Sequence, residues 1–417
     1  MRFFFIILLN ILFISILNAL TLPQAINLAL KHNQELNKKY IDIKIQKENI
    51  KTYKAMRFGQ IDILTNYNRY DSKRVLEPLS RYRAEDILSY GVQYQIPIFT
   101  GFEITENIKI SKLNQKLSSI TEKLTKNQVI FNVKSIYFTI LSLKKQLSAM
   151  KDYRTSLNRL YKDVSLKVRV GKKPEVDLYK IEYDLKSTDA AITNLQKNID
   201  TLKYALKEII GKKDLIIDKI EDIQLTKNFK LIDVNIENIP SVIHTKIQRS
   251  IALEKIKKAK SEYFPKIYLN SKTFENYGNG NDVNIWNVSL NLKFNLFDFG
   301  KRKSEVKKAL LEERKAELAN EEVKLKKEKE IKDALNKIKI SEADIEAYKN
   351  QIKYAKEEER IEKLKYEKGV SQIYDYLYAK SRRYIAESKY YDSLYKREQA
   401  IAYYEYVIEK YANNFEE

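Results

Sequence analysis

The stretch LSYGVQYQIPI, residues 88–98, does not follow a helical period; it alternates. Leu88, Tyr90, Val92, Tyr94, Ile96 and Ile98 fall on one face of an extended chain, and Ser89, Gly91, Gln93 and Gln95 on the other. WNVSLNLKFNL, residues 286–296, repeats the pattern, with Trp286, Val288, Leu290, Leu292, Phe294 and Leu296 opposite Asn287, Ser289, Asn291, Lys293 and Asn295. Strands are expected at 88–100 and 285–297, with weaker partners at 61–70 and 266–274. Strands of about ten residues with one apolar face and one polar face fit the staves of a membrane β-barrel. A half-buried soluble sheet explains them less well, because Tyr and Trp lie on the apolar face and Asn, Gln and Ser crowd the other. Four strands cannot close a barrel, since the smallest have about eight, and an open edge in lipid leaves backbone groups unsatisfied. Further copies of the chain must complete it, and a wide polar lumen favours three copies, hence twelve strands.

Downstream of each alternating segment the pattern changes to helix. Residues 103–170 contain no Pro or Gly, a run that would reach roughly 100 Å as one helix. Val129, Val133, Ile136, Ile140, Leu143, Leu147, Met150, Leu157, Tyr161, Val164 and Val168 follow a 4-3 spacing broken only at Arg154, the stripe that directs left-handed coiled-coil packing. Residues 301–368 again lack Pro and Gly, and Ile331, Ile338, Ile345 and Ile352 recur every seven, with Tyr366 in phase. Gly171 and Gly369 then mark turns, and a second helix is expected to run back to about Ile210 and about Tyr411.

The chain is duplicated. Gly171 and Gly369, Asp177 and Asp375, and Phe99 and Phe297 are each 198 residues apart, and a constant offset over such a span marks an internal repeat. Ile61 and Ile267 differ by 206, which is read as a longer first strand connection (71–87) than second (275–284). The expected organisation is a first repeat at 20–211 and a second at 241–417. Each holds an entry helix, two strands and a long hairpin. The irregular segment 212–240 lies between them as a belt.

The N-terminus has Arg2, an apolar run from Phe3 to Leu17, then Asn18 and Ala19. This is the grammar of a secretory signal peptide, expected at 1–19. The apolar run is shorter than the roughly 20 residues a spanning helix needs, and no later segment is long and apolar enough, so membrane insertion must use strands. The net charge of +21 comes from basic residues interleaved with acids along helices, which reads as solvated faces rather than a nucleic-acid footprint. With no Cys, thiolate chemistry is excluded, and with only His32 and His244, far apart in sequence, a His-based metal site or catalytic triad is not expected. No nucleophile, metal, cofactor or phosphate motif is visible, so no enzyme activity is expected.

In order along the chain, TLPQAINLALKHNQEL (21–36), YQIPIFTGF (94–102), VGKKPEVDLYK (170–180), FNLFDFGKR (294–302) and YEKGVSQIYDYLYAK (366–380) resemble the opening, the strand-to-helix junctions and the hairpin tips of the TolC family of outer-membrane efflux and secretion channels. The resemblance covers essentially the whole mature chain. It implies a homotrimer in the outer membrane of a Gram-negative envelope, contacting outer-membrane lipid. Its twelve-stranded barrel would continue into a periplasmic α-helical tunnel that closes at the turns. It implies docking to a periplasmic adaptor (membrane-fusion) protein and an inner-membrane pump of RND or ABC type, in a tripartite efflux or type I secretion system. Carried over residue by residue, Asp375 matches a position that forms an acidic ring at the constriction, and Tyr366 and Asp177 match a pair that holds the entrance shut. Val170, Gly171, Gly369 and Val370 match the tips where adaptors dock. Two positions depart from the pattern. Tyr378 stands where a second Asp would make a second ring, and Ser371 where an Arg would reach the Asp177 position. A gate here is expected to have fewer charged links. For Asp177 and Asp375 the plain alternative is helix N-terminal capping. For the whole chain it is an exported coiled-coil structural or adhesin-like envelope protein.

Overall fold

The computed structural model describes residues 19–77 and 81–413, so the signal-peptide expectation at 1–19 lies almost wholly outside the described residues. The chain forms two compact units, each drawing segments from both halves of the duplication.

The first unit, residues 38–124 and 235–327, carries a four-stranded antiparallel sheet. Its strands are β1 (Gln60–Val75), β2 (Arg83–Phe99), β3 (Lys266–Gly278) and β4 (Asn281–Lys293), in the order β1-β2-β3-β4. The two halves of the duplication meet along the β2–β3 ladder. Register sets the faces. Ile63, Val92, Thr273 and Trp286 lie in one row across the sheet, whereas Asp62, Gln93, Lys272 and Asn287 lie in a row on the opposite face. The apolar face is bare: Trp286 is 75 % and Leu290 68 % exposed. Phe274 lies opposite Gly91. A Cβ at Gly91 would stand 2.1 Å from the Thr273 carbonyl oxygen and 2.8 Å from Phe274 Cδ1, so only glycine lets β3 approach there.

The strands differ from the sequence expectation at their ends. The connection expected at 71–87 is mostly strand, with a register shift between Arg69 and Arg74. The connection expected at 275–284 is also mostly strand, and the chain reverses on Asn279 and Gly280, both with positive φ (54° and 74°). Asn-Gly is the preferred pair for a two-residue hairpin, because both positions need the left-handed region. Ladder hydrogen bonds extended these strands through polar residues that alternation alone had read as loop. Conversely, β4 stops at Lys293, so Phe294, Leu296 and Phe297, expected within the strand, follow it. The β2 end turns at Gly101, where a Cβ would meet the Ser261 carbonyl oxygen at 2.5 Å. Phe102 packs edge-on against Phe99 and Phe264 there.

Helices leave these junctions. α1 (Leu22–His32) opens on a reciprocal capping box between Thr21 and Gln24. α2 (Gln34–Ala55) follows after Asn33, whose side-chain oxygen accepts from the Leu36 N–H. α3 (Glu103–Arg169) and α6 (Lys301–Glu367) are both 67 residues long, and their return partners α4 (Val176–Ile210) and α7 (Ile373–Val407) are both 35. α5 (Pro240–Ser261) is the entry helix of the second repeat. α7 ends at Val407 rather than near Tyr411. Glu409 takes a positive φ of 54°, and a short α8 (Lys410–Asn413) follows.

The second unit comprises the described parts of 1–37, 125–234 and 328–417. The seven-residue stripe is its core. Val133, Tyr137, Ile140 and Leu141 of α3 pack with Ala25 and Ala29 of α1, Leu206 and Ile210 of α4, and Ile220. Arg154, the break in the stripe, forms an ion pair with Asp189 of α4. The neighbouring Tyr153 takes the buried place. Most of 212–240 has no ladder of its own, apart from a single parallel bridge between Leu20 and Ile220 and a short helical turn at Ile236–Asn238. Side chains satisfy its backbone instead. Lys144 donates to the Ile220 carbonyl (2.7 Å) and Tyr404 to that of Ile232 (2.9 Å), and the buried Glu398 accepts from Thr226 N–H and hydroxyl (both 2.8 Å).

Candidate functional site

Both hairpin tips fall within the second unit, and each begins with the same backbone device. At the first, the Gly171 N–H donates to Val168 (2.9 Å) and the Lys172 N–H to Lys167 (2.8 Å). At the second, the Gly369 N–H donates to Tyr366 (3.1 Å) and the Val370 N–H to Lys365 (2.9 Å). These pairs of bonds satisfy carbonyls that the helix end leaves open, and they require a left-handed residue, which glycine supplies at φ 70° and 77°. A Cβ at either glycine would meet nothing within 4 Å, so the constraint is backbone conformation and not space. Val170 and Val370 stand out at the turns, 66 % and 76 % exposed.

The tips are tied together by side chains of opposite hairpins. Tyr366, at the end of α6 and 2 % exposed, donates its hydroxyl to Asp177 Oδ2 at 3.1 Å. Asp177, in the first turn of α4, is itself 7 % exposed. Burial, and then the nearby Asp177 carboxylate, push the Tyr366 hydroxyl well above its ordinary range. The phenol therefore stays protonated and remains a donor. Around this bond Leu157, Val164, Ile181, Ile373 and Leu377 form an apolar cluster that excludes water.

A third residue, not singled out in the sequence, completes the link. Lys173 of the first turn donates to the Tyr366 carbonyl at 3.2 Å and places its ammonium 3.9 Å from the Tyr366 ring centroid. Tyr366 is thus held through its hydroxyl, ring and carbonyl by the other hairpin. A Lys two residues after a turn glycine is the signal that was available. It was missed because turn lysines usually point to solvent.

Asp375 lies three residues after Gln372, the residue preceding α7, and its carboxylate accepts from the Gln372 N–H at 3.3 Å. The capping role considered for it is therefore realised, and the side chain remains exposed. Asp177 is different: it is buried and bonded to the opposite hairpin. Ser371 carries a buried hydroxyl with no hydrogen-bond partner and makes no link to Asp177. Tyr378 stacks on Tyr374 with ring centroids 6.3 Å apart. Further along, Lys380 is buried with its pKa lowered by that burial. It bonds Glu359 of α6 at 3.1 Å, and Arg383 reaches the same carboxylate at 2.8 Å. These two cations clamp the second hairpin just behind its tip.

Among the described residues no helix is long and apolar enough to cross a membrane, and no group of three or more side chains could hold a metal ion. The chain thus combines a bare-faced, open-edged antiparallel sheet in one unit with long hairpins whose tips interlock in the other. The chain matches the outer membrane efflux protein family over residues 25–212 and 231–403 and belongs to that family, which comprises channel and transport proteins rather than enzymes. A comparison with curated proteins finds no match. Among solved structures it shares its fold with several crystal structures. One is the Campylobacter jejuni CmeC outer membrane channel (TM-score 0.80, 19 % identity, 93 % of this chain and 85 % of that one). Another is the Vibrio cholerae outer membrane protein VceC (0.78, 13 %, 93 % and 95 %). A third is the Neisseria gonorrhoeae MtrE outer membrane channel (0.77, 16 %, 93 % and 88 %).

Proposed function

We propose that the chain works as a homotrimer forming the exit duct of a tripartite efflux or type I secretion system, with its gate at the hairpin tips. The observation that carries this reading is the four-stranded sheet, which has unpaired edges at β1 and β4 and leaves Trp286, Val288, Leu290 and Leu292 bare on one face. Edges of this kind are unsatisfied in lipid, and three copies supply the twelve strands of a closed barrel whose polar face lines a lumen. The hairpins would then form a periplasmic tunnel. An adaptor protein would engage the tips at Val170, Gly171, Gly369 and Val370, and an inner-membrane pump would choose the cargo.

In such a trimer three copies of the exposed Asp375 surround one axis, where like charges attract multivalent cations. The Tyr366–Asp177–Lys173 link holds the two hairpins of each protomer together. An adaptor that binds the open form more tightly by a few kcal/mol shifts the balance. The decisive test is assembly. The purified chain should require detergent, run as a trimer without heating and as a monomer after it, and conduct in planar bilayers. A monomer soluble without detergent would instead identify an exported structural protein. Asp375→Asn should weaken block of conductance by multivalent cations, and unchanged block refutes the ring. Gly171→Asp or Gly369→Asp should reduce adaptor crosslinking while trimers persist.

A further inference from the structure

Beside the tip link, α4 and α7 line an open cleft of about 480 Å³. Tyr179 and Tyr183, one turn apart on α4, line one side together with Lys180 and Asp184; Tyr374 and Tyr378, one turn apart on α7, line the other. Tyrosines with so much ring in solvent (Tyr183 is 75 % and Tyr374 60 % exposed) contribute little to the packing of the hairpins. The Tyr374 and Tyr378 rings stack, with planes within 15° of parallel, which leaves the outer face of Tyr374 without a ring against it.

The faces of such rings attract cations, most strongly large ones whose charge is poorly hydrated. The chain demonstrates this on one ring. The Arg382 guanidinium carbon lies 5.8 Å from the Tyr378 centroid, held there by Glu358 at 2.9 Å. Among the described residues no side-chain cation stands over Tyr179, Tyr183 or Tyr374. Asp184, half-buried in the lining, has its carboxyl pKa raised by burial, and a neighbouring cation would relieve that cost. Lys180 opposes a cationic guest, but with Asp184 it leaves the lining without net charge, and the rings of Tyr179, Tyr183 and Tyr374 decide the preference. The volume lies within the range of small-molecule sites, about 300–1,000 Å³.

We propose that this tyrosine cleft binds organic quaternary ammonium cations carrying an aryl or alkyl arm. The proposal goes beyond the channel reading and is measurable whether or not the chain conducts. The probe is benzyltrimethylammonium, titrated calorimetrically into the purified full-length chain in detergent at constant ionic strength. Saturable binding is expected, with the probe's methyl protons shifted upfield in NMR because they sit over ring faces. Tyr183→Leu and Tyr374→Leu should each weaken binding about three- to tenfold, while Tyr374→Phe, which keeps the ring, should stay within about twofold. Absence of saturable heat overturns the proposal, as does absence of the upfield shift. Leu variants that bind as tightly as the wild type overturn it equally, since a merely apolar groove would tolerate that change. Circular dichroism of each variant checks that the hairpins are intact, and the wild-type shift measurement stands even if a variant misfolds.

Discussion

After 67 helical residues each hairpin turns on a left-handed glycine and returns for 35. The side chains carried on these matched backbones are not equivalent. The first tip contributes a buried acid and a turn cation, Asp177 and Lys173; the second contributes the buried tyrosine that both of them hold, Tyr366. The acid at the repeat-equivalent position of the second tip, Asp375, is exposed and caps its own helix. Duplication therefore reproduced the backbone, and divergence at a few positions turned two like tips into a lock and its receptor. What separates the two acids is burial. Asp177 lies where another hairpin covers it, whereas Asp375 is exposed among the described residues.

The largest effect should come from emptying the receptor. Tyr366→Ala removes a fully buried aromatic, and the expected cost is about 3–5 kcal/mol, read as accelerated hydrogen exchange in the tip turns of all four long helices. Exchange confined to α6 would mean that the tips are not interlocked. Next, Tyr366→Phe and Asp177→Asn should each cost about 1–3 kcal/mol by leaving a buried polar group underserved. The double variant should reveal a coupling of about 0.5–3 kcal/mol; additive behaviour would show that the 3.1 Å bond contributes nothing beyond packing.

Gly171→Ala and Gly369→Ala should each cost about 1–2 kcal/mol from left-handed strain. Because both positions are sterically open, the two losses in thermal stability should agree. A marked inequality would break the backbone equivalence of the tips. Lys173→Met should cost about 0.5–1 kcal/mol through the lost contact with the Tyr366 ring, and only when Tyr366 is present. The smallest effect belongs to Ser371→Ala, within about 0.5 kcal/mol of the wild type, because its hydroxyl has no partner to lose. A large loss there would show that the Ser371 hydroxyl does support the tip.

Much of the architecture was legible in the amino-acid order, because period and punctuation are local properties. Alternation located the strands, absence of Pro and Gly located the long helices, and glycines 198 residues apart located both turns. The strand ends were not legible. Ladder bonds carried β1, β2 and β3 through polar residues beyond the alternating runs, and β4 stopped before Phe294. The family motifs brought Tyr366 and Asp177 together on paper. Only the packed hairpins made one the buried donor to the other, added Lys173, and isolated Ser371. By itself, then, the sequence determined which segments are strand or helix, and that two long helical hairpins turn at Gly171 and Gly369. Tertiary structure decided which halves of the duplication pair in the sheet and which of two equivalent acids is buried. Those outcomes depend on contacts between residues nearly two hundred positions apart, and local pattern carries no record of such contacts.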